Sequence, residues 1–433
     1  MIHIPPALTH PRFRYLWAGM LISMAGSQMQ LWALFWHIRT LTDQPIALGG
    51  IGLARILPVV LFSLVSGVIA DKLNRRRIMF LTQSCMALLA SALGVLTLTG
   101  EINLGWIYTI TALQAVAAAF DLPARQALVP NLVPARDLPN AFSLNSIAAH
   151  SGAIIGPALS GWVIAGLGQS YVYLINAVSF LAVILALLLM GPVQQESQTG
   201  IQAARGNAQP LVSLQAIGEG ITFIVRHPLI LPTMLLDFFA TFFSSANTLM
   251  PIIAVDILKV GAVEYGWLSA AQAIGAVTAA LIISQVRQIR RQGPLFLLSV
   301  VAFGVATIFF GLAPSFKLAM LALILIGAAD AVSTIIRNTI RQLRTPDYIR
   351  GRMTSINQIF FTGGPQLGEV EAGAVAQFFG TPFAIISGGF GCLVAVGLIA
   401  LKWPHLRTYD GSEPDHQIAP ATHPQQEKSA CQD

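Results

Sequence analysis

The sequence predicts an all-α polytopic membrane protein, with twelve transmembrane helices in two pseudo-symmetric six-helix bundles. Three observations carry that expectation. Of 433 residues, 55% are hydrophobic and only 10% are charged, whereas about a quarter are charged in an ordinary soluble domain. Apolar runs of about twenty residues, the length that crosses a ~30 Å hydrocarbon core, recur twelve times between short polar turns. Finally, one constant shift of the chain superposes Arg125 on Arg337, Pro134 on Pro346, Ser143 on Ser355, Asn145 on Asn357, Gly152 on Gly364 and Gly156 on Gly368. Duplicated halves of this kind place a substrate site near the midplane, between them.

The spans begin near Tyr15, Ile46, Ile78, Trp106, Ala141, Tyr171, Leu229, Tyr265, Pro294, Leu318, Thr354 and Pro382. Each must be helical, because lipid offers no partner to an open backbone group. Arg12 and Arg14 precede an apolar run too long for the core of a cleavable signal peptide. Between the second and third spans, residues 66–80 read SGVIADKLNRRRIMF, with Lys72, Arg75, Arg76 and Arg77 in one short turn. Only Arg39, Lys259 and Lys317 fall in loops on the other side, and Arg55 lies within a span. The positive-inside rule then puts both termini in the cytoplasm; the membrane is expected to be a bacterial inner membrane. The rule also accounts for the net charge of +6 without nucleic acid.

This divides the chain into an N-terminal bundle (1–190), a cytoplasmic linker (191–227), a C-terminal bundle (228–403) and a tail (404–433). The linker is rich in Gln, Ser, Gly and Ala. Its last part regains helical apolar spacing at Leu214, Ile217, Ile221, Ile224 and Val225, which predicts a helix lying on the membrane surface. The tail, with Pro404, Asp410, Glu413, Pro414, Asp415, Pro420 and Pro424, is expected to be disordered.

Gly67, Ile69, Ala70, Asp71 and Arg75 to Arg77 resemble the loop between the second and third helices of major facilitator superfamily transporters. Residues 120–145 (FDLPARQALVPNLVPARDLPNAFSLN), Gly26 to Met29, Gly156 to Leu159, Gly327 to Asp330, 345–353 (TPDYIRGRM) and 367–373 (LGEVEAG) are similar to one branch of it, the enterobactin-exporter-like, transmembrane secretion effector group. The resemblance covers residues 12–405 and implies a monomeric, proton-driven exporter of a siderophore, drug or other small metabolite by alternating access. An importer of the same fold, or a non-transporting membrane sensor, is the alternative. The resemblance also implies a gate in which Asp71 meets the start of the eleventh span, with Arg125 or Arg77 as its cation and Gly67, Arg75 and Arg76 in the same loop. Asn74 departs from the superfamily pattern, which often has Gly there.

Charges inside apolar spans are costly and become functional candidates by default. Asp237, Glu369, Glu371, Asp330 and Arg55 are these, with His150 a lesser one. A carboxyl that carries a proton between two sides must sit near the midplane, which favours Asp237 and Glu369; Glu371, two residues on, points to another face. Each acid can instead be paired structurally, Asp330 with Arg337 for example. In the fifth span Gly152, Gly156, Pro157 and Gly161 allow close backbone approach and a bend, resembling the antiporter motif of exporters. Gln28, Trp32, Trp36, Phe239 and Phe361 are candidate cavity residues.

Other classes find no support in the residues. No nucleophile or His/Asp metal constellation and no phosphate-cradling loop is present, so the sequence points to neither an enzyme nor an ATP-driven pump, and calls for no metal and no cofactor. Cys85, Cys392 and Cys431 have no disulfide or metal spacing. The expected partners are a small-molecule substrate, protons and the lipid bilayer.

Overall fold

The computed structural model describes residues 5–193, 214–244, 246–286 and 289–411. Among these, twelve helical spans alternate in direction along the chain. The first half holds α1 (Pro11–Leu41), α2 (Pro45–Lys72), α3 (Arg75–Thr99), α4 (Leu104–Leu128), α5 (Leu138–Leu167) and α6 (Gln169–Met190). The second holds α7 (Ile230–Phe243), α8 (Ala262–Ser284), α9 (Gln292–Leu312), α10 (Phe316–Arg344), α11 (Asp347–Phe379) and α12 (Thr381–Lys402). A separate helix, Leu214–Arg226, precedes α7.

Ten spans are apolar enough throughout to be recognised by length and composition alone. The other two, α1 and α11, have 31 and 33 residues but carry polar side chains such as Gln30, His37, Gln366 and Glu369 inside the bundle. The seventh span is broken. After α7 ends, a 3-10 turn (Ala246–Leu249) and a single π-helical turn (Ile253–Ile257) complete the crossing.

Local chemistry sets the helix ends. The side chain of Asn74 accepts a hydrogen bond from Arg77 N at 3.2 Å, and that of Asn103 from Trp106 N at 3.0 Å, capping α3 and α4. The departure from Gly at position 74 is therefore a helix cap. α3 ends at Gly100, whose φ of 74° is left-handed, a conformation glycine adopts without strain.

Packing repeats between the halves. In the first, α1 lies against α5 and α6, α3 against α4 and α6, and α2 against α4. In the second, α7 lies against α11 and α12, α9 against α10 and α12, and α8 against α10. The halves meet through α2 with α11 and α5 with α8, two contacts that the pseudo-twofold exchanges.

The two ends of the bundle differ. At the cation-poor end one apolar core joins both halves, with Trp32, Ile38 and Leu48 beside Leu249, Tyr265 and Leu268. At the basic end Phe13, Leu16, Met79, Leu132 and Leu187 form a cluster drawn from the first half alone. Ile224, Ile230, Met234 and Met353 form another within the second half, and through Ile224 it seats helix Leu214–Arg226.

One expectation needs correcting. The chain does not become tail at residue 404: Pro404–Thr408 is helical, and Leu406 and Tyr409 are fully buried. These two apolar residues supply the burial that the polar composition of the segment conceals. Residues 194–213 of the expected linker and 412–433 of the expected tail lie outside the described residues.

Candidate functional site

The seam between the halves is built on small residues. A Cβ on Gly49 would meet Glu369 O at 2.8 Å, and one on Gly373 would meet Gly49 Cα at 3.0 Å, so α2 and α11 touch backbone to backbone. Gly161 of α5 and Gly266 of α8 approach equally closely. The glycine motif of α5 thus divides its work: Gly152 and Gly156 press against Ala25 and Gln28 of α1, whereas Gly161 and Pro157 O face α8 across the seam. Gly266→Val should force α5 and α8 apart. The expected result is faster labelling of an Ala262→Cys reporter, now almost buried, by a membrane-impermeant thiol reagent; unchanged labelling would mean that this seam does not hold the end closed.

Polar contacts close the same end. Tyr265 Oη donates to Trp32 O at 2.8 Å, Thr248 Oγ1 to Leu48 O at 3.0 Å, and Arg39 Nη2 to Asp256 Oδ1 at 2.8 Å. Trp36 packs on the Tyr265 ring with centroids 5.0 Å apart, and Trp32 meets the same ring edge-on. Trp32 is part of this seal, and Trp36 beside it also lines an open pocket with Arg39, Thr42 and Asp43. Gln28 lines the α1–α5 contact, Phe239 stacks with Phe243, and Phe361 is half exposed.

Two ion pairs gather the charges expected from the spans. Asp237 and Arg337 form a direct pair between α7 and α10, each 3% exposed. Asp330 and Ser333 line the same small crevice, and Arg341, one turn beyond Arg337, bonds Asn338. The arginine assigned from sequence to Asp330 therefore makes its direct contact with Asp237. Both members of that pair belong to the second half.

The other pair does not. Arg55 Nη1 of α2 lies 3.5 Å from Glu369 Oε1 of α11, across the seam. Glu369 is buried, and its second oxygen has no hydrogen-bond partner. Gly52 makes the room: a Cβ there would meet the Glu369 side chain at 2.9 Å. Glu371 is half-buried on a different face of α11.

The basic loop works within its own half. Arg75 donates to Ala127 O at 3.2 Å and Asn131 Oδ1 at 2.8 Å, and Arg76 to Leu187 O at 2.7 Å, tying α3 to the ends of α4 and α6. Arg77 is exposed, Arg125 is half-buried on α4, and His150 is exposed. Gly67 and the Asp71 side chain lie outside the described residues, as do most of those opening α11, where Ile349 and Met353 are buried.

Two features go beyond the residues named from sequence. Asp121 of α4 is buried and accepts hydrogen bonds from Thr82 Oγ1 at 2.8 Å and Gln83 Nε2 at 2.9 Å. A carboxyl inside an apolar run was signal enough to find it. Gln30, Gln114 and Asn176 form a second network, with Asn176 Nδ2 donating to Gln30 Oε1 at 2.7 Å and Gln30 Nε2 to Gln114 Oε1 at 2.6 Å. Uncharged amides spread over three helices leave no comparable mark in sequence.

Comparison with known proteins covers the whole fold. The model of the transmembrane secretion effector family matches residues 5–428. The enterobactin exporter EntS of Shigella boydii serotype 18 is 28% identical over 414 residues, 94% of this chain and 95% of its own length. That of Escherichia coli O81 is 27% identical over the same span. Among solved structures, a bacterial homologue of the human lysosomal transporter Spinster, inward-facing and unoccupied, superposes with a TM-score of 0.72 at 14% identity, covering 94% of this chain and 99% of its own. The nucleoside transporter NupG superposes with a TM-score of 0.64 at 16% identity, covering 92% and 99%.

Proposed function

The chain belongs to the transmembrane secretion effector family of major facilitator transporters, and from that premise we propose that it exports a small molecule in exchange for protons. The observation that carries the coupling is the Arg55–Glu369 pair, the buried acid whose counter-charge sits on the opposite half. Alternating access requires the cation-poor end to open by drawing α2 from α11. Glu369 then loses its cation at the moment it becomes reachable from that side. At 3.5 Å and an effective dielectric of ~20, the gross attraction is ~5 kcal/mol before desolvation is subtracted. That is enough to link proton binding to the conformational change. A proton taken up on opening neutralises Glu369; return of Arg55 on closing displaces it toward the other side.

Asp237 is placed differently. Its arginine rides on the same half, so rocking of one half against the other leaves the pair intact. We assign it to holding α7 on α10 and to the electrostatics of the crevice, with Asp330 beside it. The basic end and both termini face the cytoplasm by the positive-inside rule, and the closed end faces outward. The relatives' cargo makes enterobactin the first substrate to try; siderophores, drugs and polar metabolites form the wider class.

The test uses inverted membrane vesicles holding the full chain. Accumulation of cargo should collapse on adding an uncoupler and persist when ATP is depleted under a maintained proton gradient. Accumulation that survives the uncoupler would rule out proton exchange, and cargo movement in the reverse sense would favour the importer.

A further inference from the structure

The two basic turns of the repeat are finished by different means. In the first half, Asn74 caps α3 from within the turn. The shift that relates the halves places Asp71 on Ile283, so the turn between α8 and α9 lacks the acid. It also lacks a side-chain cap: Arg291, the residue before α9, stands in a left-handed conformation with φ 54° and caps nothing itself. The chain's end supplies what is missing. Asp410 Oδ1 accepts a hydrogen bond from Arg291 N at 2.7 Å, and Tyr409 O accepts one from Gly293 N at 2.9 Å. A carboxylate at a helix N-terminus also meets the positive end of the helix dipole.

The same segment reaches a second helix. The Arg344 guanidinium, last in α10, lies over the Tyr409 ring at 5.2 Å and its Nε is 3.4 Å from the hydroxyl. Leu406 and Tyr409 are buried to 0% and 2% exposure. Gly293 is required for the fit, because a Cβ there would run into Leu406 O. Beyond Arg344 the chain enters α11, the helix that meets α2 across the seam.

We propose that residues 404–411 are a clamp of the second half: Tyr409 and Asp410 cap α9 and tie it to the end of α10, so that the start of α11 moves with the half as one body. Tyr409 and Asp410 are positioning residues that act through α9 and α10. The inference rests on the alternating-access reading only for its consequence at the gate; the clamp itself is tested without any substrate.

The experiment compares wild type with Asp410→Ala, Tyr409→Ala and Gly293→Ala, all as full-length chains in lipid nanodiscs. One readout is amide hydrogen exchange at residues 291–295. The other is the distance distribution between spin labels at Arg136 and Leu343, which are exposed on opposite halves at the basic end. Losing one hydrogen bond's worth of protection speeds exchange about tenfold; Asp410→Ala removes the acceptor of the Arg291 amide directly, and Tyr409→Ala and Gly293→Ala unseat the segment that carries it, so each variant should show that at residue 291 and a broader label distribution. Gly293→Ala, which removes neither the acid nor the ring, should reproduce the Asp410→Ala result. Unchanged exchange overturns the clamp, and faster exchange with an unaltered distribution overturns its part in moving α11. Should an alanine variant fail to fold, Asp410→Asn, which keeps an acceptor oxygen, and Tyr409→Phe, which keeps the ring, decide by intermediate exchange or by none.

Discussion

Arg337→Met should cost about 3–5 kcal/mol of stability, because it leaves Asp237 buried and charged with its direct partner gone. The penalty is the desolvation of an uncompensated carboxylate more than the loss of a favourable contact. Replacing both residues, as Arg337→Met with Asp237→Leu, should therefore recover most of it, since two well-packed apolar groups leave nothing unpaired. Reversible unfolding in mixed micelles measures both. A single variant within about 1 kcal/mol of wild type would mean that Arg341 compensates in its place, and that the pair does not hold α7 to α10. The double variant is expected to be stable yet impaired in transport, which separates structure from function at this crevice.

Glu369→Gln should abolish proton-driven accumulation while leaving downhill exchange of cargo largely intact. The substitution keeps size and hydrogen-bonding capacity, so the contact with Gly52 survives, and Arg55 is open enough to water to stand alone. What it removes is the charge whose partner changes with conformation. Export by wild type should rise with an inward proton gradient, and export by the variant should be flat against it. Asp237→Asn is expected to depress transport at every gradient without flattening that dependence, because its partner moves with it. Uphill transport retained in Glu369→Gln would remove Glu369 from the coupling and make Asp237 and Asp330 the next carboxyls to test.

Much of this molecule was legible before any coordinates. Membrane residence and the twelve spans follow from apolar runs of one length, since a bilayer imposes that length on every crossing helix. The twofold repeat follows from residues at a constant separation, such as Arg125 and Arg337. The candidates Asp237, Glu369 and Arg55 follow from the cost of a charge in lipid, which is a property of each residue and its immediate neighbours. Partnership is not such a property. Nothing near Asp237 in the chain selects Arg337 over Arg341. Nothing near Arg55 points to Glu369, or near Asp410 to Arg291. Those pairings depend on how α7 packs on α10, α2 on α11 and the chain's end on α9, contacts between segments tens to hundreds of residues apart. A span is determined by its own composition because the solvent around it is uniform. A partner is determined by the one place where two helices approach closely enough to exclude that solvent, and only the tertiary structure fixes the place.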